Sequence, residues 1–414
     1  MSSSPPRIRI TEIVAVDHLI TVIYDLHSQR ACRVEMRASL DDGDTFIDGP
    51  LDHSGAIGEK VLPGTGHAIT WDHSGTIGDG VITIEVIADD GHVPDINAMV
   101  RQVDEQRLME LLRRISIPRH HISAPGGLRE VRDLIHDHFQ QHGLRTSLQT
   151  VEYGGSIGEN VVGRLVGSFE PGTSYIVDGH YDAVAGSPGA DDNGSAVAAM
   201  LEVVRIVSQY QFKNSLRFLG FAFEEQGHVG SSRYVENGIP AWEKVQGVLN
   251  LEMIGYRSLE PGSQTMPPGF HLLFPDVAAH LEMNGHTGDF LTVVGNMNSS
   301  DLANTFMGAM ERHVPQLKGL RLIVPENGRS TPDLRRSDHA PFWDAGIPAL
   351  MLTDGSNYRN PNYHLPADTV ETIDPTFLMD CTKAVLATAA TLAMPVNAGT
   401  DRWTIDGRTR ERSS

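Results

Sequence analysis

The chain has 414 residues, a formal net charge of −20, 40% hydrophobic and 21% charged residues, an ordinary folded composition in a chain that divides most naturally into about two domains. The acidic balance, with no long basic run, argues against nucleic acid or an anionic membrane surface as a main partner. Only Cys32 and Cys381 are present, so there is no disulfide framework or cysteine-rich zinc module, and any metal must be held by His, Asp and Glu.

The opening Met1 to Pro6 lacks the basic start and apolar core of a signal peptide, and no stretch approaches about 18 uninterrupted apolar residues. The expectation is a cytoplasmic protein without a membrane partner. From Arg7 to about residue 90 the pattern is strand-rich: Arg7 to Val14, Leu19 to Tyr24, Ala31 to Ala38 and Val81 to Ala88 carry β-branched residues between turn clusters. Turns are expected at Asp41-Asp42-Gly43-Asp44, at Leu62 to Gly66, and at Asp52-His53-Ser54-Gly55 and its near copy Asp72-His73-Ser74-Gly75. With no long amphipathic helix here, a small β-sandwich is the economical reading, diffusely similar to immunoglobulin-like or fibronectin-like modules.

After Pro94 the character becomes helical, with Met99, Val103, Leu108, Leu111 and Leu112 spaced for one face. Strands and helices then alternate. Helices are expected at 128–142, 195–209, 301–313 and 375–392, and strands at 146–151, 160–166, 175–178, 215–223, 245–251, near Arg321 and at 349–353. Such alternation builds an α/β/α sandwich with a mixed central sheet and its site at the carboxyl ends of strands. The expected division is 1–95 for the β module, 96–397 for the α/β domain and 398–414 for a polar, loosely held tail.

Carboxylates and histidines collect at these strand ends. The strand Tyr175 to Asp178 runs into Gly179-His180-Tyr181-Asp182, where Asp182 shares a face with His180 and can orient its imidazole. Gly189-Ala190-Asp191-Asp192-Asn193-Gly194-Ser195 opens a helix, with Ser195 a plausible cap. The acids there could equally serve the helix N-terminus. Glu224 and Glu225 close an apolar strand on different sides, so that one can bind metal while the other takes a proton from water. Glu252 closes another strand. Ser337-Asp338-His339 and Tyr363-His364-Leu365-Pro366-Ala367-Asp368 complete the set.

In this order and spacing, over roughly residues 100 to 395, these motifs resemble metallopeptidase family 28, which includes bacterial leucyl aminopeptidases, glutamate carboxypeptidases and glutaminyl cyclases. The resemblance implies two zinc ions per chain, replaceable by cobalt or manganese, bridged by Asp192. His180 and Glu252 would complete one site and Glu225 and His364 the other. It implies that Asp182 orients His180, that Glu224 is the general base, and that the Asp192-Asn193 peptide is cis. Many relatives have Asp where this chain has Glu252. Some carry an oxyanion-stabilising tyrosine ahead of Ser-Asp-His, where this chain reads Thr331-Pro332-Asp333-Leu334-Arg335-Arg336, so Tyr363 is the candidate here. His339 is expected to face substrate. The implied activity is removal of N-terminal residues from peptides, with a one-zinc glutaminyl cyclase-like acyltransferase or a carboxypeptidase as alternatives.

Overall fold

The computed structural model describes residues 4–43, 45–47, 51–74 and 80–406. Asp44 of the first expected turn, Gly75 of the second Asp-His-Ser-Gly copy and residues 407–414 of the expected tail lie outside the described residues. Two compact units are formed, residues 1–94 together with 395–414, and residues 95–394.

The first unit contains strands β1 (Arg7–Val16), β2 (Leu19–His27), β3 (Cys32–Ser39), β4 (Asp52–Gly55), β5 (Gly58–Val61), β6 (Gly64–Asp72) and β7 (Val81–Asp89), with a terminal strand Ala398–Asp406. They form two antiparallel sheets, β1-β2-β6-β4 and terminal strand-β7-β3-β5. Alternate residues such as Ile20, Val22, Tyr24 and Leu26 point inward to meet Val34, Trp71, Ile84 and Val86, the period-2 pattern of a sandwich. Cys32 is buried in β3 as a small apolar residue.

Three local expectations need correction. Asp52 to Gly55, read as a turn, is the edge strand β4, paired with β6 from Asp52↔Asp72 to Gly55↔Ile69. All four residues are exposed, so backbone pairing alone defines the strand and the polar side chains carry no signal of it. Its near copy does turn, with the Ser74 N–H and hydroxyl both donating to Asp72 Oδ1 at 2.9 and 2.5 Å. The expected loop Leu62 to Gly66 is shorter, because β6 already begins at Gly64. The largest change is at the chain's end. Instead of a loose tail, residues 398–406 pair antiparallel with β7 from Ala398↔Asp89 to Asp406↔Val81. A polar edge strand and a polar tail have the same composition, and only the partner distinguishes them.

The second unit holds the helices α1 (Ile96–Val100), α2 (Glu105–Ile115), α3 (Pro125–Gln141), α4 (Ala196–Val207), α5 (Val229–Asn237), α6 (Phe270–Leu273), α7 (Pro275–Met283), α8 (Ser300–His313), α9 (His339–Asp344) and α10 (Pro375–Ala393). Its strands are β8 (Arg145–Tyr153), β9 (Ser156–Leu165), β10 (Glu170–His180), the two-residue β11 (Gln211–Phe212), β12 (Asn214–Phe221), β13 (Lys244–Glu252), β14 (Phe290–Asn296), β15 (Lys318–Val324) and β16 (Ala349–Thr353). The eight-stranded sheet runs β15-β14-β16-β13-β10-β12-β9-β8. Its centre, β12-β10-β13-β16, is parallel, and antiparallel contacts occur only toward the flanks.

Successive residues on the central strands face opposite layers. Val177 and Phe218 join the core under α2, α3, α4, α8 and α10, whereas Ile176, Leu219 and Phe221 pack with Tyr234, Phe342 and Trp343 beneath α5 and α9. This two-sided burial is why the strands read as continuous apolar runs. The helical stretch after Pro94 is broken into α1 and α2 because Asp104 caps the second, its side chain accepting from Arg107 N–H at 3.0 Å. Among the described residues one helix, α10, is long and apolar enough to cross a membrane; most of it is buried inside the unit.

Candidate metal centre

The parallel centre of the sheet delivers its ligands from adjacent strand ends, as open α/β sheets do. His180 is the last residue of β10 and Glu252 the last of β13, while Glu224 and Glu225 follow β12. Asp192 lies in the turn that precedes α4, and its peptide bond to Asn193 is cis. Gly189 makes that turn possible: at φ +58° a Cβ would sit 2.2 Å from the Asp192 carbonyl and 2.8 Å from Arg119. Phe223, Met253 and His364 also adopt positive φ, at 59°, 52° and 58°. Such conformations cost about 1–3 kcal/mol each and concentrate where geometry is imposed for function.

These residues form two groups that share one carboxylate. His180 Nε2 lies 3.4 Å from Asp192 Oδ1 and 3.5 Å from Glu252 Oε2. On the other side, His364 Nε2 lies 3.1 Å from Asp192 Oδ2 and 3.1 Å from Glu225 Oε2. The two oxygens of Asp192 therefore face two different sets of donors. Glu224 also approaches the first group, with Oε2 3.8 Å from His180 Nε2. His180 with Glu224 and Glu252, and Asp192 with Glu225 and His364, each bring ligand atoms within 4.8 Å of one another.

The donor set fits cations. Both ring nitrogens of His180 and Oε1 of Glu225 are buried without a hydrogen-bond partner; Nδ1 of that ring faces Asp182, while Nε2 faces Asp192 and Glu252. Unpaired buried polar atoms of this kind are costly unless something else satisfies them. Acids outnumber the two histidines, and their charges act on one another and on the imidazoles. Against the pull of burial, Asp192 and Glu225 push His364 up to about 10. Burial, then the Asp192 charge, push Glu225 up to about 7, and burial raises Glu224 well above the carboxylate range. Oxygen and imidazole donors in two groups of this size could hold two zinc-like ions.

The surrounding residues fix these donors. Asp182 Oδ1 is 3.4 Å from His180 Nδ1, and the same carboxylate accepts from the N–H groups of Glu224 at 3.1 Å and Glu225 at 3.3 Å. Ser337 donates its hydroxyl to Glu252 Oε2 at 2.7 Å, and Asp338 accepts from Ser231 at 2.5 Å. Tyr363 stacks on His364 with ring centroids 3.7 Å apart, and its phenol accepts from Arg336 at 2.8 Å. Burial and the Asp192 charge raise its pKa, so it stays a neutral O–H donor.

Two expectations fail here. His339 does not face substrate: it opens α9 fully buried, with Nε2 2.9 Å from the Leu334 carbonyl and its ring edge-on to Trp343. The turn at Ser337 and Asp338 that leads into α9 carries it into the buried layer, and the serine is the member of that triplet that hydrogen-bonds Glu252. Ser195 is not a helix cap either. It is already helical, and its hydroxyl donates to the Asp191 carbonyl at 2.8 Å and accepts from Ile254 N–H at 3.1 Å.

Two further residues support the centre in roles that the sequence does not assign. Asp368 receives the N–H groups of Asp191 and Asp192 at 2.9 and 3.0 Å; its position four residues after His364 was the available signal. Arg119, fully buried, donates to the carbonyls of Tyr181, Pro188 and Gly189. An isolated arginine in a loop carries no mark of such a role.

Beside the centre, a cavity lined by Met266, Phe270, Phe290, Val294, Leu322 and Met351 is rimmed by Glu252, Arg336 and Tyr363. Fold and site together define a metallohydrolase of the α/β/α exopeptidase kind. The chain belongs to peptidase family M28, whose profile matches residues 160–389. It is 29% identical over 302 residues to the uncharacterized protein YfbL of Escherichia coli (strain K12), covering 68% of this chain and 87% of YfbL. It is 25% identical over 281 residues to a probable zinc metalloprotease of Pyrenophora teres f. teres (strain 0-1), covering 61% of this chain and 56% of that protein. In fold it is similar to an aminopeptidase from Aneurinibacillus sp. strain AM-1, with TM-score 0.55 and 16% identity, covering 73% of this chain and 97% of that one.

Proposed function

We propose that the protein is a two-zinc aminopeptidase that releases N-terminal residues with large apolar side chains from peptides. The observation that carries this reading is the split of Asp192, one oxygen toward His180 and Glu252 and the other toward His364 and Glu225. One cation would be held by His180, Asp192 and Glu252, and the other by Asp192, Glu225 and His364. Zinc bound there would acidify an attacking water and polarise the scissile carbonyl.

The chain's own groups divide the remaining work. Glu224 accepts the proton of the attacking water and returns it to the leaving nitrogen. Asp182 holds His180 and the Glu224-Glu225 backbone in register. Tyr363 donates its O–H to the developing oxyanion. The carboxylate-rich centre supports a substrate ammonium, and the neighbouring apolar cavity supports one large side chain such as Leu, Met or Phe. A one-zinc reading leaves half of Asp192 and the Glu225–His364 pair without a task.

The test is a substrate panel. Leucyl and methionyl amides with a free amine should be hydrolysed, and their N-acetylated forms should not. Hydrolysis of blocked substrates alone would overturn the aminopeptidase reading, and turnover of lysyl amide above leucyl amide would overturn the apolar preference.

A further inference from the structure

The strand end that carries Glu224 closes into a tight turn. The Glu224 carbonyl accepts from the N–H groups of Gly227 and His228, each at 2.8 Å, and Val229 N–H donates to the Phe223 carbonyl at 3.0 Å. His228 sits at φ 60°, an uncommon conformation outside glycine. Its carbonyl in turn accepts from Ser232 N–H at 3.0 Å and the Ser231 hydroxyl at 3.2 Å. The residue is pinned on both sides, and the turn brings its ring back over the carboxylate four positions earlier. His228 Nε2 lies 3.3 Å from Glu224 Oε1, while Oε2 of the same carboxylate faces His180.

The two oxygens of Glu224 are thus distinguished, one toward the cation centre and one toward His228. A carboxylate that must exchange a proton at one oxygen needs its other oxygen held, since a rotation about the last side-chain bond removes the productive geometry. An imidazole in its neutral Nε2–H tautomer offers that oxygen an N–H without adding charge. Contacts of this kind are often long before substrate arrives and tighten afterwards.

We propose that His228 is a positioning residue that holds Glu224 Oε1 and thereby presents Oε2 to the reacting water. This rests on Glu224 being the general base. In the test, zinc content, melting temperature, kcat and KM are measured on a leucyl amide for His228→Leu, His228→Gln, His228→Asn and Glu224→Gln. His228→Leu should keep zinc and KM while kcat falls on the order of tenfold, as for loss of one hydrogen bond to a charged group. Gln, whose amide nitrogen reproduces Nε2, should restore most of kcat, and Asn, which reproduces only Nδ1, should not. If the leucine variant does not fold, the Gln and Asn contrast carries the test alone. Wild-type kcat in His228→Leu, equal kcat in Gln and Asn, or loss of zinc in His228→Gln would overturn the role. Glu224→Gln separates the two ideas: retained turnover there sinks the general-base reading itself, whereas its collapse beside a normal His228→Leu sinks only the role of His228.

Discussion

Glu224 and Glu225 leave the same strand end as neighbours, yet their carboxylates reach different partners. Glu225 Oε2 meets His364 at 3.1 Å, while Glu224 lies between His180 and His228. Glu225→Ala should therefore lose zinc first and turnover as a result. Glu224→Gln should keep zinc while turnover falls by roughly a hundredfold to ten-thousandfold, the range for general acid–base catalysis. Elemental analysis beside steady-state kinetics checks both, and the reverse pattern would exchange their roles. Tyr363→Phe removes one oxyanion donor and should lower kcat on the order of a hundredfold with little change in KM; unchanged turnover would assign that donor elsewhere. The sequence shows His180, Glu224, Glu225 and Glu252 at strand ends, while the roles of these residues, of Asp192 and of His364 are what the family resemblance implies. His339 misled because histidine beside a carboxylate looks functional, and only packing shows that its partners are Leu334 and Trp343.

At the scale of elements, the turn that carries Asp192 depends on a side chain far away in sequence. Asp368 accepts two consecutive backbone N–H groups from it, and burial and the Asp191 charge raise the Asp368 carboxyl to about 7. Asp368→Ala would leave both donors unpaired and let the bridging carboxylate shift. Zinc affinity should weaken by roughly tenfold to a hundredfold, as for other residues that orient ligands; competition against a chelator measures this, and wild-type affinity would show that the turn holds without it. The terminal strand makes a separate prediction. Ending the chain at residue 397 strips β7 of its nine-residue partner and exposes a hydrogen-bonding edge. The truncated protein should aggregate more readily and melt earlier with its zinc content unchanged; an unaltered melting curve would contradict a stabilising role. The long apolar elements were legible because burial on both faces writes itself into composition. The strand 398–406 and β4 were not, since an exposed edge strand is defined by backbone pairing rather than by its side chains.

In the whole molecule, every residue assigned to the centre lies between 95 and 394, inside one of the two compact units. The β-sandwich supplies none of them. Much of the acidity in the formal charge of −20 is surface, but Asp182, Asp192, Glu224, Glu225 and Glu252 are gathered at one point where cations would offset them. The layered fold was accessible from the alternation of strands and helices and the family from motif order, whereas the pairing of residues 398–406 with the sandwich required the structure. The centre's division over Asp192 is open to one direct measurement, the number of zinc equivalents bound by metal-stripped full-length protein in an equilibrium titration. Two equivalents per chain are predicted, falling to one in His364→Ala. A plateau at one in the unaltered protein would contradict a two-cation centre.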